Sequence, residues 1–260
     1  KIKKTMIGGL LFLLVSLLSS CTVFDVFSVD SLIRAPKLTG ENAEIQKAFE
    51  NNVGTDVALL NPLSGNYRSA FVLYDCDRDG TDEVIVFYSR HEFPDEVHMH
   101  ILTYKDKAWQ SLCDVAGNGS EVYEIDFVNL DKDSEAEIAV TWALSDSKRS
   151  KTLSLYKFFE KEDSGRDIIQ LTALQLSEYM VCDIDYDGQN ELFYIYPIRS
   201  ENTTAYHAAL LKISAKDHEP VPLTDITVSD NIVQILSLQS DMKEAVFALY
   251  IDCLNADGKY

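Results

Sequence analysis

The chain has 260 residues, 46% of them apolar, and a formal net charge of −19. That length suits one large domain or two small ones, and the apolar fraction is ample for a packed core. Because so acidic a chain would repel phosphate backbones, its charge argues against nucleic acid as a partner.

The first twenty residues predict a lipoprotein signal peptide. A basic start at residues 1–4 precedes an apolar run, Met6–Leu18, that is too short to span a bilayer comfortably. The run leads into Leu18-Ser19-Ser20-Cys21, the lipobox pattern of bacterial lipoproteins, in which the chain is cut before the cysteine and acylated on its sulfur. We therefore expect residues 1–20 to be removed and Cys21 to carry lipid, palmitate included, that anchors the protein to the outer face of the cell membrane. A plain signal anchor or a core helix is the alternative.

Residues 21–58 are predicted to hold the lipidated cysteine, a tether and one short helix. Ile45, Ala48 and Phe49 have helical spacing, which indicates a helix of about three turns that includes residues 41–50. The four remaining cysteines show neither C-x-x-C nor zinc spacing, so we expect free thiols, although an extracellular compartment permits a disulfide. They are Cys76, Cys113, Cys182 and Cys253.

An acidic loop recurs along residues 59–260 at a constant spacing of 54 residues. Loop 1 (75–83) and loop 3 (183–191) read Asp-x-Asp-x-Asp-Gly-x-x-Glu, whereas loop 2 (129–137) has Asn at its first position and Ser in place of the glycine. A fourth copy, at 237–245, keeps a single metal-facing acid, so no calcium is expected there. Four copies at one period indicate a repeat architecture.

The spacing within each loop predicts a calcium site. Carboxylates at positions 1, 3 and 5, a carbonyl at 7 and an acid at 9 can converge as hard oxygen ligands, and calcium accepts about six to eight such oxygens in a flexible geometry. Glycine at position 6 permits the sharp turn. We expect the calcium to be structural, at two to three sites, and bound with the weak affinity that suits extracellular concentrations. The predicted ligands are Asp75, Asp77, Asp79, Thr81 and Glu83 in loop 1, Asn129, Asp131, Asp133 and Glu137 in loop 2, and Asp183, Asp185, Asp187, Gln189 and Glu191 in loop 3.

An EF-hand is excluded because its bidentate glutamate would stand at position 12, between two helices. Position 12 is Val86, Val140 or Tyr194 in the three loops, and the flanking segments read as strands. The alternative for each loop is a solvated turn, since Asp, Asn and Gly are common in turns.

The loop motif and its flanking strands resemble the FG-GAP or VCBS repeats, which are related to the repeats of integrin α-subunit propellers. In that family Asp-x-Asp-x-Asp-Gly-x-x-Asp/Glu joins the first two strands of a propeller blade. The resemblance covers about residues 60–260, and with the N-terminal pattern the chain is similar to repeat lipoproteins of Gram-positive bacteria. It implies blades that are stabilised by calcium.

Each full period of residues 59–260 reads as four short antiparallel strands, the size of one propeller blade. We therefore predict an all-β fold, a β-propeller-like array of four-stranded blades, with one short N-terminal helix. Because the chain stops halfway through the fourth copy and starts without Met, we expect an incomplete ring and a fragment of a longer reading frame. The rival interpretation is a four-bladed ring whose last blade is completed by N-terminal residues.

Two further groups of side chains bear on function. His98 and His100 lie on one side of a predicted strand, which suits either a transition-metal site or the wet face of an edge strand. Trp109 and Trp142 are the candidates for a surface role, whereas aromatic residues such as Tyr104 are expected in the blade core.

The motifs favour a binding protein over an enzyme. No G-x-S-x-G, Walker, H-E-x-x-H or Rossmann pattern is present, so we expect no enzymatic activity. The leading hypothesis is a membrane-anchored extracellular lipoprotein whose calcium-stabilised propeller repeats bind a protein or a glycan. A polysaccharide lyase or hydrolase built on a calcium-binding propeller and a structural lipoprotein of the envelope are the alternatives.

Overall fold

The structure, a computed structural model, describes residues 40–133, 135–144, 147–161, 165–184, 186–199, 204–229, 232–241 and 246–253. The predicted signal peptide and Cys21 lie outside the described residues. Contacts divide the chain at residues 43 and 44, and every strand that the structure describes lies in 44–260. Over the ranges just given, no helix has the length and apolar character needed to cross a membrane.

The predicted N-terminal helix is confirmed and runs further than expected. Helix α1 spans Glu41–Val53 and ends where Gly54 donates its N–H to Glu50 at 2.9 Å, with φ of 97° at the glycine. Ile45, Phe49 and Val53 recur every four residues, so they share one face and are buried. That face packs on sheet 1, which is defined next.

The strands of the described residues form four antiparallel sheets. Sheet 1 contains β1 (Val57–Leu59), β2 (Phe71–Tyr74), β3 (Glu83–Arg90), β4 (Phe93–Lys105) and β5 (Ala108–Ala116). Sheet 2 contains β6 (Glu121–Val128), β7 (Glu137–Leu144), β8 (Ser147–Glu160) and β9 (Arg166–Leu176). Sheet 3 contains β10 (Glu178–Cys182), β11 (Glu191–Arg199), β12 (Thr204–Ile213) and β13 (Pro220–Ser229), and sheet 4 contains β14 (Ile232–Asp241) and β15 (Val246–Cys253).

Apart from β1, strands follow one another in chain order within each sheet, as they do in a propeller blade. The predicted all-β array of four-stranded antiparallel sheets is therefore confirmed, and none of the described sheets closes on itself. Strand β1 was not predicted. Its three residues are too few to show alternation, and it pairs with residues 88–90 of β3, beyond the end of β2 on the same edge.

The core lies between neighbouring sheets, so the central strands are buried on both faces. In β7, Val140 and Trp142 belong to the core shared with sheet 1, whereas Ala139 belongs to the core shared with sheet 3. Likewise Phe87 of β3 faces sheet 2 and Val86 faces helix α1. Because the sheets pack face to face and helix α1 covers the other face of β3, both faces of these central strands are buried. Strands β3 and β7 therefore read as continuous apolar runs in the sequence.

Two aromatic predictions are wrong. Trp142, proposed for the surface, is 0% exposed, and its ring lies 6.0 Å from that of Phe87. Tyr104, expected in the core, is 41% exposed and lies beside the half-buried Trp109, with ring centroids 5.3 Å apart. The reason is position in the sheet, because β7 is an inner strand covered on both faces and Tyr104 stands near the tip of the β4–β5 hairpin.

Candidate metal-binding loops

Loops 1, 2 and 3 are built alike, each between the first strands of its sheet. Loop 1 joins β2 to β3, loop 2 joins β6 to β7 and loop 3 joins β10 to β11. At position 9 a buried glutamate opens the second strand, and its Oε2 accepts the N–H of position 2 at 2.7 to 3.0 Å. The three pairs are Glu83 with Cys76, Glu137 with Leu130, and Glu191 with Ile184.

The first aspartate of loops 1 and 3 folds the turn. The Asp75 carboxylate accepts the N–H groups of Asp79 and Gly80, both at 3.1 Å, and Asp183 accepts the equivalent pair at 3.0 and 2.9 Å. Gly80 and Gly188 have φ of 91° and 84°, in the left-handed region that favours glycine. The backbone therefore requires the glycine that the motif places at position 6.

Loop 1 gathers three carboxylates around one point. Asp75, Asp77 and Glu83 each offer an oxygen, and these oxygens lie within 4.8 Å of one another. Burial raises the pKa of Glu83 to about 7, since the nearby charges of Asp79 and Asp75 add to the rise and outweigh the hydrogen bonds that lower it. Such a group of acids is stabilised by a cation, so loop 1 has oxygen ligands and negative charge that could hold a metal ion.

Two other predicted ligands of loop 1 bond to each other. Thr81 donates its N–H to Asp79 Oδ1 at 2.8 Å, and the converging group of three does not include Asp79. From β9 in sheet 2, the guanidinium of Arg166 contacts Asp77 and lies 3.0 Å from Glu135 Oε1. Arg166 thus bridges loop 1 to loop 2 from the side.

In loop 2 a lysine ammonium lies among the predicted ligands. Nζ of Lys157, from β8, is 2.9 Å from Asp131 Oδ2, 2.5 Å from Asp133 Oδ2 and 3.1 Å from Glu137 Oε1. The Lys157 side chain is only 5% exposed. Burial lowers the pKa of Lys157, but its hydrogen bonds to the three acids outweigh that effect and raise the pKa. His218 reaches the same cluster, with Nδ1 2.7 Å from Asp131 Oδ2.

Asn129, the remaining predicted ligand of loop 2, makes hydrogen bonds within the turn. Asn129 donates its side-chain amide to the carbonyl of Asp133, and its Oδ1 accepts the N–H of Lys132 at 3.2 Å. Ser134, which replaces the glycine, lies outside the described residues. Asn129 therefore bonds within its own turn, but it donates to the backbone of position 5, whereas Asp75 accepts the N–H groups of positions 5 and 6.

Two lysine ammonium groups from outside loop 3 contact its acids. Nζ of Lys212, from β12, lies 2.7 Å from Asp187 Oδ2 and 3.2 Å from Glu191 Oε1, and Nζ of Lys132 lies 3.2 Å from Asp187 Oδ1. The hydrogen bond from Lys212 is the largest reason that the pKa of Asp187 falls to about 2. The predicted ligand Asp185 lies outside the described residues.

Hydrogen bonds join the three loops in series along one edge of the array. Ala136 of loop 2 donates its N–H to the Cys76 carbonyl of loop 1 at 2.8 Å. Asn190 of loop 3 donates its side chain to the Asn129 carbonyl of loop 2 at 2.8 Å. Gln189, predicted to offer its carbonyl to calcium, donates its side-chain amide to loop 2 at the Leu130 carbonyl, 2.6 Å away. A change in the conformation of one loop should therefore alter the loop beside it.

Sequence reasoning missed the residue opposite each position 9 glutamate. Strand register places Thr103 beside Glu83, Lys157 beside Glu137 and Lys212 beside Glu191. These residues follow the glutamates by 20, 20 and 21 positions. The lysines at nearly equal offsets in two of three copies were the available signal, but their meaning depends on a hairpin register that spacing alone does not give.

The fourth copy lacks the loop conformation over the residues described. Residues 237–241, which correspond to positions 1 to 5, belong to β14 and pair with 246–250 of β15. Residues 242–245 lie outside the described ranges. Its sequence keeps few of the acids, and the residues at positions 1 to 5 are strand residues.

The histidine pair forms a hydrogen-bonded cluster inside sheet 1. Nδ1 of His98 and of His100 lie 2.7 and 3.0 Å from the Asp114 carboxylate, to which Tyr88 also donates its hydroxyl at 2.7 Å. Strand β4 is flanked by β3 and β5, so the expectation of an edge strand is wrong. Sheet 3 has a similar cluster, in which Asp225 meets His207 at 2.9 Å and also a tyrosine.

Replacing Asp114 with asparagine should destabilise the protein at neutral pH and lose that effect in acid. Burial raises the pKa of Asp114, but hydrogen bonds from His100, Tyr88 and His98 outweigh it and lower the pKa to about 2. The stabilisation is therefore present above the ordinary value of 3.8 and is lost as the pH falls through about 2. We expect Asp114→Asn to lose about 1–2 kcal/mol in urea unfolding at pH 6, since the side chain is partly exposed, and much less near pH 2.

The matched control is Asp56→Asn, because Asp56 also pairs with a histidine, His91, at 2.8 Å but is 90% exposed. It should change stability little at either pH. An Asp114→Asn effect of equal size at both pH values would contradict the proposed cause.

The side chains of three cysteines lie within the described part of the chain. Cys76, Cys113 and Cys182 are free thiols, and the side chain of Cys253 lies outside the described set. Burial raises the pKa of Cys113 to about 12 and also raises the pKa values of the other two. All three thiols are therefore protonated and unreactive at neutral pH.

A cavity of about 520 Å³ opens beside loop 1, between sheets 1 and 2. Asp77, Asp79 and Glu83 contribute to its wall, together with Tyr104 and Arg166. The cavity thus combines the acids of loop 1 with an exposed aromatic ring and a guanidinium, groups that can stack on and hydrogen-bond to a polar ligand.

Comparison with known proteins gives no family. No protein-family model matches the chain, and no curated protein matches it either. The resemblance to FG-GAP and VCBS repeats therefore stays a prediction, and it depends on the loop motif and its place between the first strands of each sheet.

Proposed function

We propose that the chain is a non-enzymatic binding module of the cell surface, stabilised by calcium in loop 1. One observation carries the calcium site: oxygens of Asp75, Asp77 and Glu83 converge within 4.8 Å, in the one loop of the three that has threonine rather than lysine opposite its glutamate. The ion would be structural, since it would join β2 to β3 and neutralise buried charge.

The lipid anchor is proposed on the motif at residues 18–21, with Cys21 as the acylated residue. Two or more acyl chains on one residue suffice for stable attachment to a membrane. Anchored outside the cell, the protein would meet calcium at the millimolar concentrations that suit a weak site.

The binding surface is proposed at the cavity beside loop 1, with a glycan or a protein segment as ligand. Tyr104 offers an exposed ring, and Arg166 and the acids of loop 1 offer charged hydrogen-bonding groups. Because Asp77 belongs both to the cavity wall and to the converging acids, calcium would shape the surface that the ligand meets. A glycan array probed in calcium and again in chelator tests this, and signal that persists unchanged in chelator would contradict a calcium-shaped surface.

Calcium itself should raise the melting temperature of the chelator-treated protein. For an affinity of about 10⁻⁴–10⁻³ M, about 10 mM calcium should add about 3–10 °C, and chelator should reverse it. Asp77→Ala should abolish most of this response. Thermal unfolding followed by circular dichroism is the measurement, and the difference between the two conditions is the readout.

Asp95→Ala is the matched control, because Asp95 is an exposed acid of β4 outside the three loops. It should leave the calcium response intact. A wild-type melting curve that calcium does not move would overturn the proposed site.

A further inference from the structure

We infer that Lys157 and Lys212 are built-in cations that take the place of calcium in loops 2 and 3, so that the residue opposite the position 9 glutamate decides whether a loop depends on metal. The loop 1 part of this inference rests on the proposed function. The lysine part rests on the contacts of loops 2 and 3 alone.

The first step is the identity of the oxygens that the ammonium contacts. Lys157 Nζ lies within 3.1 Å of oxygens from Asp131, Asp133 and Glu137, which are positions 3, 5 and 9 of the loop. These are the positions whose side chains would ligate a metal ion. A divalent cation bound by the same oxygens would have to lie against Nζ and its positive charge, so the two occupants exclude each other.

The second step is burial. Asp131 and Glu137 are 0% exposed and Lys157 is 5% exposed, so water does not screen these two carboxylates, whereas Asp133 is 38% exposed. A buried carboxylate needs a partner of opposite charge or a metal. In loop 2 the lysine already provides it.

The third step is the repetition of the arrangement with one exception. Lys212 reaches Asp187 and Glu191 in loop 3 from the equivalent place on β12. In loop 1 that place is held by Thr103, whose hydroxyl lies 3.5 Å from Glu83 Oε1 and carries no charge. The position opposite the glutamate therefore offers an ammonium in two loops and a neutral hydroxyl in one.

Arg166 does not take the lysine role in loop 1. Its guanidinium approaches from β9 of the neighbouring sheet and contacts Asp77 at position 3, while its second contact is Glu135 of loop 2. Glu83 at position 9 meets Thr103 and the Cys76 N–H. The converging oxygens of loop 1 thus keep a place for a metal between positions 1, 3 and 9.

The test exchanges the two residues. In Lys157→Thr, loop 2 receives the residue of loop 1, and in Thr103→Lys, loop 1 receives the residue of loop 2. Each variant of the full chain is stripped with chelator and melted with and without about 10 mM calcium. We expect Lys157→Thr to melt lower than wild type without calcium and to gain about 3–10 °C more than wild type from calcium, whereas Thr103→Lys should lose the wild-type gain.

Lys161→Thr is the control, because Lys161 pairs with Asp167 at 2.6 Å outside the loops and is 45% exposed. It should respond to calcium as wild type does. If Lys157→Thr gains no more from calcium than Lys161→Thr, the lysine is not a substitute for the metal. Lys212→Thr provides the same comparison in loop 3 should Lys157→Thr fail to fold.

Calorimetric titration of the wild-type protein with calcium distinguishes this inference from the proposed function. One ion per chain supports both, and two or three ions would overturn the inference while leaving the proposed function standing. No bound ion in wild type together with a gained ion in Lys157→Thr would overturn the loop 1 site and support the role of the lysine.

Discussion

Replacing Lys157 with methionine is expected to cost about 3–5 kcal/mol of unfolding free energy in metal-free buffer, because it removes the ammonium that contacts two fully buried carboxylates. Methionine retains much of the apolar stem but none of the charge. Asp131 and Glu137, both 0% exposed, would lose contacts of 2.9 and 3.1 Å. Urea unfolding followed by circular dichroism measures the loss.

Adding Glu137→Gln to Lys157→Met should recover part of that loss, since it removes one of the unpaired charges. The amide oxygen of glutamine can still accept the Leu130 N–H, which now lies 2.7 Å from Glu137 Oε2. Lys161→Met is the matched control and should cost about 1 kcal/mol or less, because that ion pair is on the surface. If Lys157→Met costs no more than Lys161→Met, the buried cluster does not stabilise the fold.

The fold was predictable because period and alternation repeat. Loops 1 to 3 fall between paired strands as their motif requires, and the glycine positions adopt positive φ at Gly80 and Gly188. Each of these features is local, and a local pattern that recurs is strong evidence for a repeated unit. The short strand β1 shows the limit, since three residues paired through the backbone leave no pattern of side chains.

The charge balance of the loops was not predictable from the motif. Acids at fixed spacing predict a cation but not its identity, and the ammonium of Lys157 comes from a strand 20 residues beyond the glutamate. Which residue stands opposite Glu137 depends on the register of β7 and β8, and a shift of one position would turn the lysine to the other face. A motif that ends at position 9 therefore leaves out the residue on which metal dependence turns.

The burial of Trp142 likewise depends on tertiary packing. A tryptophan in a nearly continuous apolar strand can lie on either face of the sheet, and both faces of β7 are covered. Gly117 makes room for the Trp142 ring, because a Cβ at this position would lie 2.7 Å from ring atom Cζ3. A Cβ at Gly119 would lie 2.8 Å from the Trp142 Cβ and from the Ala143 carbonyl oxygen. Neither glycine belongs to a loop motif. In the sequence, the space for Trp142 is therefore indicated only by two small residues between β5 and β6.

Trp142→Ala should therefore be among the most destabilising single changes in the chain, at about 3–5 kcal/mol. The ring is fully buried between sheets 1 and 2, and its removal opens a cavity that the two glycines cannot fill. Trp142→Phe should lose less, about 1–2 kcal/mol, since it keeps an aromatic ring but gives up the hydrogen bond from Nε1 to Ser154 Oγ at 3.1 Å.

Trp109→Ala provides the comparison. Trp109 is half-buried on β5, so its truncation removes less buried apolar surface than the truncation of Trp142 does. We expect it to cost clearly less than Trp142→Ala in the same urea titration. The two tryptophans also report separately, since each variant leaves one indole. Subtracting the fluorescence spectrum of Trp142→Phe from that of wild type gives the emission of Trp142. This emission should lie at shorter wavelength than that of Trp109, which is the tryptophan left in Trp142→Phe. Equal losses of unfolding free energy in the two alanine variants would contradict the conclusion that sheets 1 and 2 pack against each other through Trp142.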